Sequence, residues 1–201
     1  GFRLALFGVC FAFGVIILGA FTRLVDAGLG CPDWPGCYGT LTVPKTAEQM
    51  DFAAGAFPER PVDHGKAWRE MIHRYAAGVL GLLVFALGWM AVRNRHAPGQ
   101  PVILPLFLCG LIIFQALLGM WTVTLLLKPL IVMAHLMGGM ATLGALVGLR
   151  QRLPIGEPEE PEETEESEES EEPDAEETEE SKDHETPESG EPQKTEEADE
   201  P

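Results

Sequence analysis

Cysteine is scarce in this chain, and the spacing and surroundings of its four cysteines argue against a redox motif and a structural metal site. No two of them have the Cys-x-x-Cys spacing, which counts against a quinone-linked thiol oxidoreductase that uses Cys31 and Cys37. Cys31 and Cys37 have no histidine nearby, so they fall short of the four ligands of a structural metal site. Cys10 and Cys109 lie in apolar runs, where cysteine is usually a packing residue.

Apolar residues are almost absent from the end of the chain. From Glu157 onward the sequence is a Glu/Pro/Ser/Thr tract with 24 acidic residues and two lysines, whereas residues 1–156 carry 12 basic and seven acidic residues. A tract of this composition cannot offset the entropy lost on ordering, so we predict a disordered acidic tail over 154–201. We expect the tail to be a solvated extension; recruitment of a basic partner is the alternative.

Residues 1–153 are predicted to form an all-α integral membrane protein, a bundle of four transmembrane helices. Four hydrophobic runs approach the roughly 20 residues that a helix needs to cross the hydrocarbon. They span 4–21, 71–92, 102–127 and 130–149, with a long outer loop at 22–69. No small-residue cleavage site follows the first run, so we interpret it as a span rather than a signal peptide. The start at Gly1, without Met, suggests a fragment or a processed start.

Arginines in the short connections predict the orientation of the spans. With four spans, all of the flanking arginines fall on one side: Arg3, Arg93, Arg95, Arg150 and Arg152. That side is expected to be the cytoplasm, or the equivalent side in an organelle, which places both termini inside. The expected location is a bacterial inner membrane, with lipid around the helices and no nucleic-acid partner.

The outer loop is punctuated by Gly and Pro, which predicts a compact, repeatedly turning segment. On the oxidising side, Cys31 and Cys37 are predicted to form a disulfide, because a gap of five residues lets their Cβ atoms meet across a turn. A structural staple is favoured over a redox-active pair. Residues 50–54 either form a short surface helix or remain irregular, and Asp63 stands where a helix N-cap would sit.

Two histidines lie near the outer ends of separate spans. His73 is a few residues into the second span and His135 a few residues into the fourth, so the helical rise puts them at nearly the same depth. Such a pair favours axial ligation of a heme iron from both faces, while hydrogen bonding of each His to a neighbouring helix is the alternative. His64 and His96 lie in loops and are expected to be solvated.

Charged side chains surround the first of these histidines. Glu70 precedes His73 by three residues and so lies on the same helix face, where it can orient the imidazole, act as an acid or base, or favour the helix dipole. Ionisable groups at such a depth are costly and usually functional. Arg23, Arg69 and Arg74 border the same zone and are candidates to pair with heme propionates, with snorkelling to the interface as the alternative for Arg74.

The third and fourth spans contain small and polar residues. Gln115 is a polar group that must find a partner in the hydrocarbon. Gly119 and Ala116 favour close helix packing over direct ligand contact. The glycines of the fourth span permit close approach either of a helix or of a flat ligand, and both interpretations stay open: Gly138, Gly139, Gly144 and Gly148.

Several of these segments together resemble one family. The segments are Gly19–Leu24, Gly28–Cys37, Glu70–Arg74, Gln115–Val123 and His135-Leu136. Their combination is similar to the heme A synthase family of cytochrome oxidase assembly, over about residues 2–152. Members have eight transmembrane helices in two similar four-helix halves and oxidise the C8 methyl of heme O to the formyl of heme A.

The resemblance implies a role for each matching residue. It implies that His73 and His135 face a heme, either the substrate heme O or a heme b, and bind its iron. It implies that Glu70 is the catalytic carboxylate, and that Cys31 and Cys37 are the outer-loop pair near the substrate.

The resemblance covers only the first of the family's two halves. The second half, which in the family carries another histidine pair and heme b, has no counterpart here, and the acidic tail stands in its place. The chain is therefore expected to pair with a second copy, to work with a separate second half, or to be a truncated copy. The alternative function is a non-enzymatic heme-binding or oxidase-assembly protein that contacts other assembly factors.

Overall fold

A computed structural model describes residues 1–153, and the tail predicted at 154–201 lies outside them. Five helices make up the described fold: α1 (Phe2–Leu24), α2 (Ala47–Ala56), α3 (His64–Arg93), α4 (Ile103–Thr124) and α5 (Pro129–Arg152). All except α2 are long and apolar enough to cross a membrane. The prediction of an all-α protein with four candidate membrane spans is confirmed.

The main difference from the predicted spans lies at the start of α3. The hydrophobic run begins at Met71, but the helix begins at His64, seven residues earlier. The Oδ1 atom of Asp63 accepts a 3.0 Å hydrogen bond from the Lys66 backbone N–H, which confirms Asp63 as the N-cap. Hydropathy missed the first two turns of α3 because they are polar, and Glu70 therefore lies well inside a helix.

Helix α4 ends at Thr124, three residues before the predicted end of its span. Leu126 and Leu127 have φ values of 55°, and the Leu127 N–H donates to the Thr122 carbonyl at 2.8 Å. This left-handed turn closes the helix before α5 starts at Pro129. The outer connection between α4 and α5 is thus a tight turn, as its sequence predicts.

The four long helices form a ring in which each one packs against two others. Helix α1 packs against α3 and α5, and α4 packs against the same two, so α3 and α5 are diagonal partners. Small residues let α1 approach closely: a Cβ added at Gly8 would lie 2.9 Å from Leu83 Cδ2. Large apolar side chains such as Leu82 and Phe107 point away from the bundle, as expected of a surface that faces lipid.

The loop between α1 and α3 has its own small core. Its buried residues are Cys31, Cys37, Tyr38, Val43 and Ala53, and they pack on Ala67 and Met71 of α3. The surface helix considered for 50–54 is present as α2, and it begins with a capping box formed by Thr46 and Gln49. The loop is therefore compact and docked on the first turns of α3.

Candidate functional site

The disulfide between Cys31 and Cys37 organises the loop beside α3. Its presence confirms the predicted pairing, and both cysteines are fully buried. Within the ring, the Asp33 carboxylate accepts hydrogen bonds from the backbone N–H groups of Tyr38 at 2.7 Å and Gly39 at 2.8 Å. These contacts fix the backbone of the ring, so its carbonyl groups are held in defined directions.

Tyr38 anchors the same ring to the rest of the loop. Its side chain is 2 % exposed, and its hydroxyl donates to the Pro61 carbonyl at 3.3 Å. The ring of Phe57 packs edge-on against it with centroids 5.5 Å apart. Burial raises the pKa of the Tyr38 phenol above its usual value, so the hydroxyl stays a hydrogen-bond donor at neutral pH.

Glu70 lies between this ring and the helix bundle and is 4 % exposed. Its Oε2 atom accepts a 2.9 Å hydrogen bond from the backbone N–H of Cys31. Its Oε1 atom accepts a hydrogen bond from the Arg74 guanidinium, one helical turn further along α3. Both oxygens of this buried carboxylate therefore accept hydrogen bonds, one of them from a cation. A buried charge needs such pairing to offset the loss of its hydration.

Arg74 connects Glu70 to the disulfide ring. Its Nη1 atom donates to the backbone carbonyls of Asp33 at 2.9 Å and of Gly36, while Nη2 donates to Glu70. The side chain is 12 % exposed. The propionate partner expected of Arg74 from the sequence would have to displace these contacts within the chain.

The two histidines are both partly buried and lie on the diagonal helices α3 and α5. Their Nδ1 atoms are buried, and neither has a hydrogen-bond partner within residues 1–153. Each histidine therefore has a buried nitrogen without a partner inside the bundle, and their sharing of one ligand stays a prediction.

Each imidazole packs against a glycine of a neighbouring helix. A Cβ added at Gly19 of α1 would lie 2.7 Å from His73 Cε1, and one added at Gly119 of α4 would lie 3.3 Å from His135 Cε1. Any side chain at Gly19 would occupy the space that the imidazole now fills. The small residues of these segments thus shape the histidine positions.

The remaining arginines of the zone are more open. Arg23 and Arg69 are exposed, and neither has an ion-pair partner in the described part of the chain. Nearby, Asp26 pairs with Lys66 at 2.8 Å, and this contact lowers the pKa of the Asp26 carboxyl. His64 and His96 are exposed, as expected, but His64 is the first residue of α3 and not a loop residue, because the Asp63 cap starts the helix there.

Two contacts of the site were not anticipated from the sequence. The Cys31 backbone N–H donates to Glu70, and Arg74 donates to backbone carbonyls of the loop. These hydrogen bonds join positions about 40 residues apart, so no local sequence pattern predicts them. The ion pair between Glu70 and Arg74 could have been found, because an i, i+4 spacing of opposite charges on a helix is a recognised signal.

The fold and this site define a multi-pass membrane protein, a helical bundle with a disulfide-stapled loop docked over a buried carboxylate. A family model described as cytochrome oxidase assembly protein matches residues 2–173, which is most of the chain. The chain belongs to that family.

Curated relatives point in the same direction. The chain is 51 % identical over 138 residues to a heme A synthase of Shewanella oneidensis, covering 69 % of this chain and 41 % of that protein. It is 30 % identical to a heme A synthase of Caulobacter over 122 residues, which are 61 % of this chain and 33 % of the relative. The chain thus spans about two fifths or less of the length of the curated relatives it matches.

Proposed function

We propose that this chain is the heme O-binding part of a heme A synthase, which oxidises the C8 methyl group of heme O to a formyl group. The observation that carries the proposal is a buried, doubly hydrogen-bonded carboxylate, Glu70, one turn before His73, with His135 on the diagonal helix; both histidines have a buried Nδ1 atom without a partner in residues 1–153. The family match and the names of the relatives support the same assignment.

The residues present fit a heme better than a bare metal ion. Residues 1–153 contain no group of three or more His, Cys, Asp or Glu side chains that could hold an ion. A heme iron needs only two protein ligands, and His73 and His135 would supply them from opposite helices. When bound, the heme supplies the iron and the redox-active macrocycle, and heme b is the alternative to heme O as the occupant.

The role assigned to Glu70 is to hold or move a proton at its carboxylate beside the substrate edge. Its position is fixed by the Cys31 amide and by Arg74, so the carboxylate does not have to reorganise. The contacts of Arg74 favour a positioning role for it. Arg23, which is exposed, is the better candidate to pair with a propionate, together with Arg69.

The proposed orientation places the disulfide loop outside and both termini in the cytoplasm of a bacterium. The basic residues at the inner ends of the spans support this assignment. The Cys31–Cys37 disulfide supports it independently, because such bonds persist on the oxidising side of the membrane.

The test is heme binding by the purified full-length chain in detergent or lipid nanodiscs. Titration with iron protoporphyrin IX should give a low-spin bis-histidine spectrum. We expect the spectrum to be lost in His73→Ala and His135→Ala and retained in the matched controls His64→Ala and His96→Ala. Loss of the spectrum only in the control variants, or its absence from the wild type, would exclude the assigned ligands.

A second candidate function is heme binding or delivery during oxidase assembly, without oxidation of the heme. The observation that favours it is that both oxygens of Glu70 already accept hydrogen bonds within the chain, from the Cys31 N–H and from Arg74. Expression in bacteria that lack their own heme A synthase separates the two: heme A formation that depends on Glu70 supports the enzyme. Heme A formation only on adding a separate second half, or on dimerisation, would identify a partner that the activity requires.

A further inference from the structure

The outer loop contains a stretch, residues 34–44, in which no side chain is charged, and we call it the uncharged segment. It is flanked by Asp33 and Lys45, and the rest of the loop carries charges of both signs. The two carboxylate oxygens of Asp33 accept hydrogen bonds from backbone N–H groups of the segment. The segment can therefore leave water without burying an unpaired charge.

Apolar side chains of the segment are open on the surface of the protein. Leu41 is 82 % exposed and Trp34 is 41 % exposed. Phe52 of α2 is exposed as well and borders the segment, because a Cβ added at Gly39 would lie 2.7 Å from its ring. Exposed apolar side chains that are grouped in this way mark a contact surface.

The backbone of the segment is hydrogen-bonded within the chain to an unusual extent for an irregular loop. Cys37 and Thr40 exchange two backbone hydrogen bonds, at 2.8 and 3.2 Å. From α3, Arg74 donates to ring carbonyls, and the Tyr75 hydroxyl donates to the Leu41 carbonyl at 2.8 Å. This pairing is what an irregular backbone needs at a membrane, where water cannot replace a missing partner.

Tyr75 belongs to a stripe of exposed residues on α3. The stripe follows the helical repeat and consists of Ile72, Tyr75, Val79 and Leu82. Elsewhere along its length α3 packs against α1 and α4, so the stripe points away from the bundle. On a helix that crosses the membrane, such a stripe faces lipid. The hydrogen bond from Tyr75 to Leu41 thus attaches the uncharged segment to the lipid-facing side of α3.

The attachment lies at the level where the apolar part of α3 begins. Side chains on a helix lean toward its N-terminus, so the Leu41 carbonyl lies between the levels of Met71 and Tyr75. From Tyr75 to Arg93 the helix rises about 27 Å at roughly 1.5 Å per residue, which is less than the hydrocarbon thickness of about 30 Å. The segment is therefore at the edge of the hydrocarbon and not above the headgroups.

We propose that the uncharged segment is inserted into the membrane leaflet on the loop side, with the side chains of Trp34 and Leu41 against the acyl chains. Tryptophan suits this depth, because its indole is apolar and carries one polar N–H group. The leaflet thereby anchors the disulfide ring that holds Arg74. This inference goes beyond the proposed function and does not rest on it, since no bound heme enters the argument.

The test measures the surroundings of a nitroxide spin label at position 41. Leu41→Cys is made in the full-length chain together with Cys10→Ser and Cys109→Ser, which removes the two free thiols. The labelled protein is placed in phosphatidylcholine nanodiscs. Power-saturation electron paramagnetic resonance then compares collisions of the label with oxygen, which dissolves in acyl chains, and with a water-soluble nickel chelate.

Two matched positions in the same background calibrate the measurement. Val79→Cys lies one turn beyond Tyr75 on the exposed stripe of α3, and Glu59→Cys lies at an exposed position in the charged part of the loop. We expect the ratio of oxygen to nickel accessibility at position 41 to approach the value at position 79. It should be several-fold higher than the value at position 59.

Two results at position 41 would overturn the inference. A ratio equal to that at position 59 would place the segment in water. Low accessibility to both reagents would show that protein, such as a second copy of the chain, covers the segment instead of lipid. Either result leaves the proposed function standing, because heme binding is measured separately.

Trp34 provides a second measurement if Leu41→Cys does not fold. The fluorescence that is lost in Trp34→Phe isolates the emission of this one indole from that of the other tryptophans. We expect phosphatidylcholine brominated near the headgroup end of its acyl chains to quench this emission. Emission that brominated lipid leaves unchanged would overturn the inference.

Discussion

The backbone amide of Cys31 donates a 2.9 Å hydrogen bond to the Oε2 atom of Glu70, across 39 positions of the sequence. The cysteine that closes the outer ring therefore also holds the carboxylate of the helix. The disulfide shapes the loop and, through this one contact, the environment of the proposed proton-transfer group.

Removal of the disulfide should destabilise the fold and release Glu70. For a ring with a sequence separation of 6, the closure entropy predicts a loss of about 2 kcal/mol in Cys31→Ser or Cys37→Ser. Thermal unfolding of the purified protein in detergent measures it. Cys10→Ser is the control, because Cys10 is a free, exposed cysteine and its replacement should leave the stability unchanged. Retained activity without both ring cysteines would exclude a thiol oxidoreductase.

Replacement of Arg74 should be among the most damaging changes in the loop region. Arg74→Met leaves the buried Glu70 carboxylate without its ion-pair partner and frees the ring carbonyls, so we expect a loss of about 3 kcal/mol in unfolding free energy. The double variant Glu70→Gln/Arg74→Met should recover part of this loss. Arg69→Met, an exposed change on the same helix, should alter stability by less than about 0.5 kcal/mol. Equal effects of Arg69→Met and Arg74→Met would contradict the positioning role.

Added volume at Gly19 should displace the first histidine. In Gly19→Ala the new methyl group would lie 2.7 Å from His73 Cε1, so the imidazole has to move, and heme affinity should fall about tenfold. Gly119→Ala, with a 3.3 Å approach to His135, should have a smaller effect. Absorbance titration with heme measures both. Gly14→Ala on α1 meets nothing within 4 Å and should bind heme like the wild type; a tenfold loss there instead would show that the effect is not specific to His73.

The N-cap of α3 should give the fold a measurable pH dependence. The Lys66 backbone N–H bonded to Asp63 lowers the pKa of that carboxyl below 3.8 in the folded state. A depressed folded pKa contributes stability that is complete above the unfolded value and lost as the pH falls through the folded value. The stability difference between wild type and Asp63→Ala should therefore be constant near neutral pH and shrink below about pH 3.8.

Hydropathy and residue spacing predict the coarse structure well and the contacts poorly. The four spans and the depth of His73 and His135 follow from apolar runs and helical rise, both of which are local properties. Hydropathy alone starts the span at Met71, whereas the predicted N-cap at Asp63 agrees with the observed start of α3 at His64. The partners of Arg74 could not be predicted, because they are backbone carbonyls whose positions depend on the folded ring.

The diagonal relationship of the histidine helices illustrates the same limit. Depth matching predicts that His73 and His135 lie at one level, but only the packing order shows that α3 and α5 face each other across the bundle. The contact of Gln115 with Gly138 is likewise a property of the α4–α5 interface and not of either sequence segment.

Gly30 has a further consequence for the site. A Cβ at this position would lie 2.5 Å from the Lys66 carbonyl carbon and 2.7 Å from the Ala67 nitrogen, so the loop meets α3 backbone to backbone. The next residue in the chain is Cys31, whose amide holds Glu70. Any larger residue at position 30 would wedge the two backbones apart and pull that amide off the carboxylate. The hydrogen bond that positions Glu70 thus depends on a neighbouring residue that has no side chain.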